Sequence, residues 1–171
     1  MNFPTTKMVT KLWQRTSSKT NFTVLIASKS PAISAELEKQ LSSSKLVRVV
    51  GKAEENEDAG LLTSEFRPDV LIIHAPTFGE PSVDLLSRLV HIHPELKTLA
   101  LECSPDHVRT CFIQLTAWGL RGCICHWKGA NELIRAIRTI GNGDVYLCPV
   151  ASHALVDAYR DMIHQLLGEE A

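Results

Sequence analysis

From Phe22 onward, short runs of aliphatic and β-branched residues alternate with stretches in which apolar residues recur every three or four positions. The strand-like runs are Thr23 to Ala27, Leu46 to Val50, Asp69 to His74, Lys97 to Glu102 and Arg121 to Cys125. Several are continuously apolar, as parallel strands buried on both faces are. A strand followed by a helix, repeated five times, predicts an α/β fold with a doubly wound parallel sheet.

The helical stretches carry their own punctuation. In the first, Ser30 is suited to the N-cap and Pro31 to the first helical position, and Ile33, Leu37 and Leu41 follow at four-residue steps. The second runs roughly from Glu54 to Phe66 and stops before Pro68, which disfavours helical geometry at Arg67. The third holds Val83, Leu85, Leu86, Leu89 and Val90 and ends before Pro94; the fourth follows Ser104 and Pro105 and closes near Gly119. The fifth begins near Gly129, presents Leu133, Ile134, Ile137 and Ile140, and stops at Gly141 and Gly143. A sixth aligns Ala151, Leu155, Ala158, Met162 and Leu166 on one face. The expected organisation is a disordered basic tail over 1–21, one domain over 22–148, and a C-terminal linker or dimerisation helix over 149–171.

Composition narrows the function classes. A chain of 171 residues is long enough to bury one proper core, and a net charge of -1 offers no basic excess for a phosphate backbone. Five cysteines, an odd number without a secretory signal, fit reduced thiols in a cytoplasmic setting. No apolar run approaches the roughly 20 residues a bilayer span needs, so no membrane association is expected.

In an open parallel sheet the chemistry sits outside the carboxyl ends of the strands. Those ends hold Ser28 with Lys29, His74, Glu102 and His126, and the loop after the third strand reads Ala75-Pro76-Thr77-Phe78-Gly79. Val24 to Pro31, Arg67 to His74, His93-Pro94-Glu95, Ala117 to Gly122, Glu132 to Ile137 and Gly143 to Pro149 together resemble the receiver domain of bacterial response regulators. The likeness is to the subfamily that carries a LuxR-type DNA-binding domain, and it runs from Phe22 to near Ala154. It implies a flavodoxin-like five-stranded sheet with an extra C-terminal helix, and a role in two-component signal transduction and transcription regulation.

The resemblance also marks what has changed. His74 stands where the family has its phosphoacceptor aspartate, Ser28 and Lys29 where it has two acids, Glu102 where it has a hydroxyl, and His126 where it has a lysine. Without an aspartate nucleophile or carboxylates for Mg²⁺, phosphoryl transfer has neither acceptor nor charge neutralisation. The expectation is a pseudo-receiver: not an enzyme, with no cofactor and no metal, acting through protein contacts and as a homodimer. DNA is expected only through a C-terminal domain not present in this chain. The alternative is a small-molecule or anion-binding domain that uses the vacated crevice with Lys29, His74 and His126.

Within the crevice, Lys29 is expected to pair with Glu102. His74 and His126, placed at adjacent strand ends, could form a metal or proton-sensing pair, or simply fill a vacated site. Ser28-Lys29-Ser30 could hold an anion at a helix N-terminus or serve as a cap. Strand alternation places Cys123 and Cys125 on one face as buried thiols. Trp118 and Trp127 are interface candidates, as are Leu155, Met162 and Leu166 of the last helix, which either dimerises or folds back.

Overall fold

A computed structural model describes residues 19–168. Strands β1 (Phe22–Ala27), β2 (Val47–Ala53), β3 (Val70–His74), β4 (Lys97–Leu101), β5 (Leu120–Ile124) and β6 (Tyr146–Leu147) are all parallel and lie in the order β2-β1-β3-β4-β5-β6. Between and after them come α1 (Pro31–Leu41), α2 (Asn56–Phe66), α3 (Ala75–Phe78), α4 (Val83–Ile92), α5 (Pro105–Thr116), α6 (Ala130–Gly141) and α7 (Pro149–Leu167). The central strands are sealed on both sides, and all five residues of β3 are buried, which is why they read as unbroken apolar runs.

The helix starts at Ser30 and Ser104 match the sequence reading, and Ser82 adds a third serine cap. Ser30, Ser82 and Ser104 accept the amides of Ile33, Leu85 and His107 through their hydroxyls. At α2 the cap is Glu55, whose amide is taken by Asp58 at 3.3 Å, so this helix starts at Asn56 and not at Glu54. Gly119 sits at φ 85, and a Cβ there would meet the Leu96 carbonyl oxygen at 2.8 Å. Only glycine fits this turn into β5.

Three features differ from the sequence expectation. Strand β2 runs to Ala53, beyond Val50, because it is an edge strand whose Arg48 and Lys52 can face solvent. A sixth strand exists, Tyr146 pairing with Gly122 and Leu147 with Cys123; two residues leave no periodic trace. The segment after β3 is not a loop but the single helical turn α3.

Helix α7 lies against α5. Ala151 is buried, Ala154 and Leu155 pack onto the core, and Arg109 of α5 bonds to Asp161. Leu155 thus belongs to the fold, while Val156, Tyr159, Met162, Leu166 and Leu167 stay exposed. The basic tail expected over 1–21 lies, up to residue 18, outside the described residues. No helix among the described residues is long and apolar enough to cross a membrane.

Asp69 ties the lower end of the sheet together. Its carboxylate accepts the Thr23 amide at 2.8 Å and hydroxyl at 2.9 Å, and Lys19 at 2.5 Å. Burial pushes its pKa up, but the bonds from Lys19 and Thr23 outweigh burial and hold it below the ordinary 3.8. A carboxylate depressed in the folded state contributes stability above its unfolded pKa and loses it as pH falls through the folded value. Asp69→Asn is therefore expected to flatten the acid limb of stability between about pH 5 and pH 2, measured by urea unfolding. An unchanged acid limb would remove Asp69 from the account.

Candidate functional site at the carboxyl ends of the strands

Four side chains from three strand ends form one hydrogen-bonded line. Ser28 follows β1 and is fully buried, and its Oγ lies 2.8 Å from Thr77 Oγ1. Thr77, on the α3 turn, lies 2.8 Å from His74 Nδ1. His74, the last residue of β3 and 3% exposed, reaches Glu102 Oε2 through Nε2 at 3.1 Å.

The direction of these bonds follows from the chemistry of the groups. An ionised Glu102 can only accept, so Nε2 carries the hydrogen and, in a neutral imidazole, Nδ1 accepts. Thr77 then donates to Nδ1 and accepts from Ser28, whose oxygen takes the Ser30 amide at 3.2 Å. Every member is satisfied by its neighbours, and a neutral imidazole suffices. Glu102 adopts the left-handed region at φ 54, which is uncommon for a residue with a side chain and is held here by its contacts with β3 and β5. Its own amide bonds Ile124 O at 2.6 Å.

Two sequence expectations fail here for one reason, the order of the strands. Lys29 does not meet Glu102; it pairs with Glu55 at 3.0 Å. From the end of β1, the β2 side is one strand away while β4 lies beyond β3, two spacings of about 4.8 Å. His74 and His126 are likewise not at adjacent strand ends, because β4 separates β3 from β5; His126 is exposed beyond the end of β5. The pairs that form are Lys29 with Glu55 and His74 with Glu102.

The remaining candidates fall into two environments. Cys123 and Cys125 are buried. A hydrogen bond to Cys103, together with burial, pushes the Cys123 thiol up, and burial with the neighbouring Cys148 pushes Cys125 up to about 12. Both thus remain unreactive thiols. Trp127 packs on the core with its Nε1 buried and without a partner, whereas Trp118 is exposed. Thr77 is the site residue that sequence reasoning left without a role. Pro76, at the second position of α3, was the signal that a helical turn brings residue 77 back toward His74.

The donor set at these strand ends differs from the carboxylate cluster that a hard cation favours. Glu102 is engaged by His74 and Glu55 by Lys29, and Ser28, His74 and Lys29 bring a hydroxyl, an imidazole and an ammonium to these strand ends. Among the described residues, convergent metal-type donors occur instead at Glu80, Cys103 and His107, outside this network.

The isolated receiver domain of RcsB from Salmonella enterica serovar Typhimurium, solved with the phosphomimetic BeF3-, superposes with a TM-score of 0.62 at 19% identity, covering 79% of this chain and 99% of that one. A LuxR-family two-component response regulator from Aurantimonas sp. gives 0.70 at 14% identity, covering 82% and 99%. The fold is the receiver fold. In sequence, the chain is 30% identical over 111 residues to the response regulator GacA of Pseudomonas protegens, covering 64% of this chain and 51% of GacA. The chain thus spans about half the length of the curated relatives it matches. No protein-family model matches it. On the receiver fold, the Ser28-Thr77-His74-Glu102 line occupies the carboxyl-end crevice at the point where strand order reverses between β1 and β3.

Proposed function

We propose that this chain is a response-regulator receiver domain that signals without phosphorylation, acting in the cytoplasm in two-component transcription regulation through protein contacts. The observation that carries this reading is the closed hydrogen-bond line itself. His74 stands where the resemblance places the phosphoacceptor, and both its nitrogens are engaged, by Thr77 at 2.8 Å and Glu102 at 3.1 Å. A receiver switches by placing a charged phosphoryl group and Mg²⁺ in this crevice; here neutral hydroxyls and an imidazole fill it and support a single conformation. The domain is then a fixed docking platform, and its output depends on what it contacts. DNA contact belongs in this reading to a separate C-terminal domain.

Incubation with acetyl phosphate and Mg²⁺ is expected to leave the intact mass unchanged. One added phosphate, localised to His74 or Thr77, would overturn the reading. The exposed side chains of α7, with Met162 and Leu166 among them, and Trp118 leave an apolar surface suited to a second copy. Light scattering at micromolar concentration is expected to give a dimer mass, and Met162→Glu with Leu166→Glu a monomer mass. A monomer in the unsubstituted chain would count against dimerisation.

A further inference from the structure

Away from the crevice, three residues of different chemistry converge where the segment after α3 meets the start of α5. Glu80 Oε2 lies 2.7 Å from Cys103 Sγ and 3.8 Å from His107 Nδ1, and one donor atom of each residue lies within 4.8 Å of the other two. We propose that Glu80, Cys103 and His107 form a three-ligand site for a divalent transition metal of the zinc type, with the fourth position open to water or to a partner's donor. The proposal stands independently of the signalling reading above.

The spacing suits the ion. Zinc bonds of about 2.0–2.3 Å in tetrahedral arrangement separate ligand atoms by roughly 3.3–3.7 Å, between the two distances Glu80 makes. A thiolate, an imidazole and one carboxylate oxygen are a borderline-to-soft donor set, which selects against Mg²⁺ and Ca²⁺.

The donors are also held in place. Ser104 caps α5 by accepting the His107 amide at 3.1 Å, and its own amide binds Glu80 Oε1 at 2.9 Å, which leaves Oε2 facing Cys103. His107 Nε2 is buried without a hydrogen-bond partner, while Nδ1 faces Glu80 Oε2 at 3.8 Å. On binding, the Cys103 S–H bond breaks, its proton passes to solvent and the sulfur bonds the metal. Cys103 and His107 are separated by three residues across a helix start, and Glu80 lies 23 positions upstream, so only the fold reveals the set. A metal here would pin the segment carrying Glu80 to α5.

The test is titration of the full chain with Co²⁺ and then Zn²⁺. One equivalent of Co²⁺ is expected to give a thiolate-to-cobalt charge-transfer band and the intense visible bands of a tetrahedral site, and Zn²⁺ is expected to displace it. Glu80→Gln, Cys103→Ser and His107→Gln should each weaken Zn²⁺ binding about tenfold or more in a chelator competition, and Cys103→Ser should abolish the charge-transfer band. Cys111→Ser should change neither. Glu80 is partly exposed, its side chain 34% accessible, so its variant keeps the test valid should a buried substitution unfold the chain, with circular dichroism as the check. Absence of the tetrahedral spectrum in the unsubstituted protein, or a spectrum and affinity unchanged in Glu80→Gln, would overturn the proposal.

Discussion

Replacing His74 with alanine is expected to lower the unfolding free energy by about 2–4 kcal/mol, measured by denaturant unfolding. The residue is 3% exposed, so its loss leaves a cavity that the β3 end and α3 can only partly close. It also strips the terminal acceptor from the Ser28 and Thr77 hydroxyls, and a buried hydroxyl without a partner costs roughly 1–3 kcal/mol. The Glu102 side chain is 40% exposed and returns to water, so its share is smaller. A double-mutant cycle over His74→Ala and Glu102→Ala should therefore give a coupling of about 1 kcal/mol, reduced by solvent screening. The cycle over Lys29→Ala and Glu102→Ala should be additive within about 0.5 kcal/mol, because Lys29 bonds Glu55 instead. Coupling between Lys29 and Glu102, with none between His74 and Glu102, would show that the crevice is wired differently.

That reversal of partners shows what the sequence made legible. Strand and helix positions follow from local chemistry, so the runs ending at Ala27 and His74 and the helix starts at Ser30 and Ser104 fall where apolar period and capping preference put them. The residues that line the crevice are equally readable, since each is simply the end of a strand. Their pairing is not, because it depends on which strands are neighbours. The strand order of the fold the sequence resembles already separates Lys29 from Glu102 by β3, and reasoning from charge alone overlooked that spacing. Thr77 stayed hidden because a one-turn helix has no period to detect. Glu80, Cys103 and His107 stayed hidden because their meeting needs the α3 turn and the α5 cap to be placed first.

Gly141→Ala is expected to destabilise the protein by about 1–3 kcal/mol, although helix propensity alone predicts a gain of up to about 1 kcal/mol. Gly141 is the last residue of α6, and a Cβ there would lie 2.4 Å and 2.6 Å from two ring carbons of Phe22. That ring is 1% exposed at the start of β1, so it cannot swing into solvent to make room. The overlap forces either the ring off its rotamer or α6 away from the sheet, and both outweigh the entropy saved in the unfolded chain. Gly60, inside α2, is the control: the nearest atom to its Cβ would be Ile92 Cδ1 at 3.9 Å, an ordinary contact. Gly60→Ala should accordingly stabilise the same protein by up to about 1 kcal/mol. Phe22→Leu, itself destabilising in the unsubstituted chain, should cost less in the Gly141→Ala background because the shorter side chain vacates the overlap. Strict additivity of those two changes in urea unfolding would mean that the ring does not set the approach of α6 to β1.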